Sequence, residues 1–241
     1  MMNWSKFWKE ENTAFLQVMQ ISTLVFAKRF DRLFKINKTH KILDYGCGPG
    51  FLVDHLASKG ASISGVDINP FFLMKCRIRF KNFQFVEVSS NREEVSATLQ
   101  SEFKDQQFDF IVILSIAQYL ESERELEDIV RTLASYLAPN GKIIVADVIC
   151  KKNSPLLDGL ALLWHCLLSA KIVELIKFMS YLFYSNYRIV AKDVKLMEYS
   201  EDTMNRIATR CSLNCSTVKH LTIHPTRLSY ILSKKDNAQR L

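Results

Sequence analysis

The segment Lys41-Ile-Leu-Asp-Tyr-Gly-Cys-Gly-Pro-Gly50 constrains this chain more than any other, because it sets three glycines at spacing two between an apolar strand and a helix. Ile42, Leu43 and Tyr45 read as the strand. The glycines let the backbone turn sharply and approach a ligand with no side chain in the way. Phe51 to Lys59 follows with helical spacing, Leu52, His55 and Leu56 sharing one face. A helix starting at such a turn offers unpaired N–H groups and a positive dipole end to an anionic group. The second strand, Ala61 to Val66, ends in Asp67. That carboxylate falls about 20 residues past the turn, where it can accept both hydroxyls of a ribose. The pattern reads as a nucleotide site.

A dinucleotide site has the form G-x-G-x-x-G. Here the spacing is Gly46-x-Gly48-x-Gly50, with Asp44 ahead and Phe51 after, and no G-x-x-x-x-G-K-[ST] occurs, so a P-loop is excluded. The D-x-G-x-G-x-G form resembles motif I of the class I S-adenosylmethionine (SAM) dependent methyltransferases. That resemblance implies that Asp44, Gly46, Gly48 and Gly50 hold the methionine end of SAM and that Asp67 holds its ribose. It extends the cofactor set to Ile68, Ser89, Ser90 and Leu114. After the third strand the family usually carries an acid near the adenine amino group, in a pattern like G-D-A. This chain has Ser89-Ser90-Asn91 instead, so a serine hydroxyl or the Asn91 side chain is expected at the adenine edge.

The remaining core keeps step with the same family. Phe83 to Val88 alternates as a third strand, and Phe108 to Leu114 is a near-continuous apolar run of the kind a doubly covered parallel strand requires. Glu121 to Leu137 reads as an amphipathic helix stopped by Pro139-Asn-Gly141, and Lys142 to Ile149 as the fifth strand. Cys215 to Ile223 and Arg227 to Ser233 read as a closing antiparallel pair. The resemblance covers residues 38–150 and 198–235. The expected fold is α/β: a Rossmann-like, seven-stranded, mostly parallel sheet with an antiparallel C-terminal strand pair, N-terminal helices and a helical cap insertion. An N-terminal helical lid takes residues 1–38, and the SAM-binding domain takes 39–241 with the cap at 154–190. A chain of 241 residues suits one such domain.

Two apolar segments should choose the substrate. Asn3 to Lys38 holds neither Gly nor Pro and steps its aromatics at helical spacing, as one or two helices packed on the sheet edge or closing over the site. Leu156 to Leu168 is almost wholly apolar, and Ile172 to Phe183 continues a helical stripe. The run is shorter than the ~20 residues of a membrane span. A cap of leucines and aromatics implies an apolar acceptor. Methyl transfer needs the acceptor held in line, and a phenol or enol also needs a base. Among the histidines, His40 and His55 read as structural, and His220 and His224 fall with the terminal strands, away from the ligand. His165, in the cap, is the one expected to reach an acceptor, with Tyr119 as a catalytic or positioning group and Gln118 beside it.

The net charge of +7 comes from scattered basic residues with no RNA-module motif. It reads first as solvated surface, then as attraction to an anionic lipid surface or to RNA. Six cysteines without secretory features suggest a reducing compartment, cytoplasmic and in peripheral contact with a membrane at most. Cys211, Cys215, His220 and His224 are too closely spaced for a zinc finger, which wants about 12 residues between its cysteine and histidine pairs. No metal is expected. The function implied is SAM-dependent transfer of a methyl group to a small, fairly hydrophobic acceptor, with oxygen favoured. An RNA methyltransferase and a non-catalytic SAM-binding module are the alternatives, and the oligomeric state stays open.

Overall fold

The computed structural model describes residues 8, 13–89, 91–169, 171–184 and 195–235. Trp4 and Phe7 of the expected lid, Ser90 of the cofactor set and residues 185–190 of the cap lie outside the described residues. In chain order the elements are α1 (Thr13–Phe34), β1 (Lys41–Tyr45), α2 (Phe51–Ala57), β2 (Ser62–Asp67), α3 (Pro70–Arg79), β3 (Gln84–Glu87), α4 (Arg92–Phe103) and β4 (Phe108–Leu114). A 3-10 turn (Ala117–Tyr119) leads to α5 (Glu123–Ala134), β5 (Leu137–Val148), α6 (Pro155–Leu168), α7 (Ile172–Tyr184), α8 (Glu201–Arg210), β6 (Leu213–Val218) and β7 (Leu228–Lys234).

The seven strands form one sheet in the order β3-β2-β1-β4-β5-β7-β6. The first five run parallel, and β7 is antiparallel to both β5 and β6. Period-two alternation in the central strands builds two cores. Leu43 and Tyr45, Ile111 and Ile113, and Ile143 and Val145 point to one face, where α5 and α8 pack. Ile42, Phe110, Val112, Ile144 and Ala146 point to the other. There α1 brings Phe26 and Phe30, with Phe30 edge-on to Phe110 at 5.4 Å between ring centroids. The C-terminal half of α1 is therefore a core helix on the sheet face. The chain leaves β1 towards β2 on one side and meets β4 on the other, so a crevice opens at the carboxyl ends of β1 and β4.

Two boundaries differ from expectation. Helix α5 starts after Ser122, whose Oγ accepts the Glu125 N–H at 3.3 Å, and it ends at Ala134. Leu137 is already strand, paired with Phe108, and Pro139-Asn-Gly141 sits inside an irregular stretch of β5 between Leu137 and Lys142. The second difference is functional. The strand expected to run to Ile223 stops at Val218. Beyond it Arg29 of α1 donates to the carbonyl of His220 at 3.0 Å and to that of Thr222. These bonds hold residues 219–227 as a loop folded back over the end of β5.

Candidate active site

A cavity of about 980 Å³ occupies the crevice at the carboxyl ends of the strands. It lies at the upper end of the range for ligand pockets, about 300–1,000 Å³, which leaves room for a nucleoside cofactor and a second small molecule.

At its nucleotide end the glycine turn is as the spacing requires. Gly46, Gly48 and Gly50 have φ of 82°, 51° and 82°. Gly46 N–H and Cys47 N–H both donate to Val66 O, at 2.8 and 3.0 Å, stitching the turn to β2. A Cβ on Gly46 would stand 2.5 Å from Ile116 Cδ1. Gly46→Ala is accordingly expected to destabilise the protein by about 1–3 kcal/mol through its left-handed backbone alone, and to displace Ile116 from the cavity wall. Urea unfolding and a SAM titration would check both; wild-type values would refute this packing.

Asp67 ties the turn to the next helix. Its Oδ2 accepts Gly48 N–H at 2.7 Å and its Oδ1 accepts Asn69 N–H at 2.8 Å. Asn69 in turn caps α3 through Phe71 N–H and Phe72 N–H, at 2.9 and 3.1 Å, and its Nδ2 donates to Trp8 O at 2.7 Å. Asp44 is almost fully buried in the same wall. Burial first, then the charge of Asp67, pushes its carboxyl up to about 8. In the free protein it is therefore mostly neutral at pH 7. A cationic ligand at this wall would draw the proton off, so SAM affinity is expected to rise with pH between about 6 and 8, approaching tenfold per unit, with proton release. Titration calorimetry in two buffers of different ionisation enthalpy checks this; a pH-flat affinity without proton release would mean that Asp44 is already ionised.

Ile68, Ser89 and Leu114 line the cavity, as do Val88, Val95 and Leu99. Asn91 is employed otherwise than expected: its Oδ1 accepts Glu93 N–H at 3.1 Å as the cap of α4, and its Nδ2 donates to Glu94 at 3.2 Å. Gln118 lines the cavity with its side chain 2% exposed, and its Oε1 has no hydrogen-bond partner among the described residues. Such an orphan acceptor costs about 1–3 kcal/mol unless a ligand satisfies it. The acid pair, the open glycine turn and this orphan fit SAM, whose adenosine and ammonium groups supply hydroxyl and N–H donors.

The opposite end of the cavity is polar in a way the sequence reading did not place. Ser115 and Asp147, at the ends of β4 and β5, both have left-handed φ, 57° and 65°. Such backbone strain clusters at functional sites. Ser115 Oγ donates to Asp147 Oδ2 at 2.7 Å, and Arg227 Nη1 reaches the same oxygen at 2.7 Å. His224 Nδ1 lies 2.7 Å from Asp147 Oδ1. Burial alone would raise the Asp147 carboxyl. The Arg227 guanidinium, then His224 and the hydrogen bonds, outweigh burial and hold it well below the usual carboxylate range. Being ionised, Asp147 accepts, so His224 Nδ1 carries the hydrogen. Arg227 is braced further by Asp158, with Nε 3.4 Å from Oδ2. Asp158 also accepts Thr226 N–H at 3.1 Å and Asn153 Nδ2–H at 2.9 Å. Ser115, Asp147, Asp158, His224 and Arg227 all line the cavity.

This corrects the reading of the histidines. His224 stands in the wall because the loop after Val218 crosses the end of β5. His165 is outside the set of lining residues: its Nδ1 lies 2.9 Å from Ala161 O, one turn back in its own helix, and Leu162 faces the cavity instead. Tyr119 does line the cavity, its ring edge-on to Trp8 at 5.2 Å. Val18, Met19, Ser22 and Thr23 of α1 and Leu162, Phe178 and Met179 of α6 and α7 complete the wall, largely with apolar atoms. Among the described residues no three His, Cys, Asp or Glu side chains are grouped so as to hold a metal ion.

The strand order, the glycine turn and the neighbouring acids Asp44 and Asp67 define a class I SAM-dependent methyltransferase. The chain belongs to the methyltransferase-domain family, whose model, described as a methyltransferase domain, matches residues 36–167, more than half of it. It is similar to the mitochondrial ubiquinone biosynthesis O-methyltransferase of Schizosaccharomyces pombe, 26% identical over 134 residues that cover 55% of this chain and 47% of that protein. The chain spans about half the length of the curated relatives it matches. Among solved structures it resembles a SAM-dependent methyltransferase from Clostridium acetobutylicum, with a TM-score of 0.59 and 12% identity over 91% of this chain and 95% of that one. It also resembles magnesium protoporphyrin IX methyltransferase from Synechocystis with SAM bound, with a TM-score of 0.55 and 14% identity over 94% of this chain and 86% of that one. At these identities the structural likeness is one of fold.

Proposed function

We propose that the chain methylates an oxygen of a small, largely apolar molecule bearing an acidic hydroxyl. The observation that carries this reading is the His224–Asp147 pair in a cavity wall to which α6 and α7 contribute the apolar side chains Leu162, Phe178 and Met179. When bound, SAM supplies a sulfonium methyl prone to in-line displacement. The protein's part is to place the acceptor oxygen and take its proton. Asp147, itself fixed by Ser115 and Arg227, holds the His224 ring through Nδ1 and leaves Nε2 free of that bond to accept the hydroxyl proton. The apolar wall from α6 and α7 orients the rest of the acceptor and excludes water. Such positioning is worth about 7–11 kcal/mol at best. The name of the Schizosaccharomyces relative, an O-methyltransferase of ubiquinone biosynthesis, supports oxygen as the acceptor atom.

The test is transfer of labelled methyl from SAM to a panel of catechols and alkylated phenols, beside total RNA. Organic-soluble label is expected, with a KM that changes little with salt. Label in RNA, with affinity falling steeply as salt rises through counterion release, would refute this reading. So would no transfer to any acceptor from protein shown to bind SAM.

A further inference from the structure

Helix α6 wears its apolar residues on the outside. Its inward side carries the buried Asp158 and Cys166, while Leu156, Leu157, Leu160, Leu163, Trp164, Leu167 and Leu168 are between 38% and 72% exposed. None of these outward residues is charged. After a link of a few residues, α7 extends the patch with Val173, Ile176 and Met179. Ordinary soluble helices do the reverse, and a contiguous exposed apolar face marks an interaction surface.

We infer that this face of α6 and α7 docks shallowly on an anionic lipid surface. Three observations choose that occupant. First, exposed lysines border the face, Lys151 and Lys152 just before α6 and Lys177 on α7, within a chain of net charge +7. Anionic headgroups complement that border. A second copy docked by the same face would bring a second set of the same lysines to the interface. Secondly, a half-exposed tryptophan among leucines is the composition of a helix lying in the headgroup boundary. No helix among the described residues is long and apolar enough to cross a membrane. Thirdly, the face and the cavity share residues: Pro155, Gly159 and Met179 are exposed and also line the cavity. An acceptor dissolved in the lipid would meet the cavity without crossing water. The docking stands on the exposed face alone; delivery of the acceptor rests on the function proposed above.

The test is co-sedimentation of the full chain with vesicles of phosphatidylcholine, with and without about one part in three of phosphatidylglycerol. Binding to the anionic vesicles is expected. Leu160→Glu/Leu167→Glu should weaken it at least about tenfold by setting charge into the apolar face, while SAM affinity and turnover of a water-soluble acceptor stay as in the wild type. Lys152→Glu, which leaves the apolar face intact, should weaken binding at least about fivefold through charge reversal at an anionic surface. Wild-type protein that remains in the supernatant overturns the inference. So does equal pelleting of the variants, or a wild-type dimer that the double variant turns into a monomer without any vesicle binding. Loss of turnover in wild-type protein that still binds vesicles would instead strike the proposed chemistry and leave the docking standing.

Discussion

His224→Ala is expected to lower kcat about 100- to 10,000-fold on a phenolic acceptor while leaving SAM affinity unchanged. The size is that of removing a positioned general base, and the selectivity follows from the cavity's two ends. His224 bonds Asp147 at the end proposed for the acceptor, whereas the glycine turn, Asp44 and Asp67 form the end proposed for the cofactor. A merely structural histidine would show itself differently, through a lowered melting temperature and a SAM affinity that falls with it. Added imidazole should restore part of the rate in the alanine variant, since the ring it replaces stood in a solvent-connected wall. Asp147→Asn makes the contrast. It takes one of two carboxylates from the part-buried Arg227 and leaves only Asp158, 3.4 Å from its Nε. The loss should therefore stay below about 3–5 kcal/mol, the cost of an uncompensated buried charge, while still unfolding the protein more readily as well as slowing it. The sign of the pH effect is fixed by the depressed carboxyl of Asp147. Its ionised form stabilises the fold above the unfolded carboxylate value of about 4, and that contribution is lost as pH falls further. A His224→Ala enzyme with full kcat would remove the base from the mechanism.

The two ends of the cavity differed in how far the sequence disclosed them. The nucleotide end is local: three left-handed positions in a five-residue turn admit little but glycine, and the acid that braces them closes the next strand. Residue type and spacing therefore carry the geometry directly. The proposed acceptor end is assembled from residues 68 to 80 positions apart, Asp147 with His224 and Arg227, and Asp158 with Thr226. No spacing encodes such a set. It depends on β7 pairing with β5 and on Arg29, a residue of α1, clamping the loop after Val218. The alternation beyond Cys215 looked like continued strand because nothing local announces that clamp. One signal was available: Asp147 is a carboxylate at the carboxyl end of an otherwise apolar parallel strand, where open α/β sheets bind their ligands. His165 misled for the opposite reason. The apolar side of a helix was taken to face the cavity, whereas in α6 that side faces outward and the inward side carries Asp158.

Asp67→Ala is expected to raise the dissociation constant of SAM by roughly 10- to 150-fold, the equivalent of losing charge-assisted hydrogen bonds worth about 1.5–3 kcal/mol. In the free protein each carboxylate oxygen already holds one backbone N–H, from Gly48 and from Asn69. A carboxylate offers about four lone-pair sites, so capacity remains for a ribose hydroxyl. Binding the cofactor need not break the brace that shapes the turn. Burial raises the Asp67 carboxyl, and the backbone N–H bonds from Gly48, Asn69 and Ile68 oppose that rise. Asp67→Asn separates the two roles. Its amide oxygen can keep one backbone N–H, but the side chain loses the charge and half the acceptors. It should therefore spare more stability than alanine does while giving up a comparable share of affinity. Calorimetric titration of SAM beside thermal unfolding of both variants reads the two quantities independently. If alanine leaves affinity intact in a protein of wild-type stability, Asp67 braces the turn and does not hold the ribose. If affinity falls only in proportion to stability, the brace is the whole of its contribution.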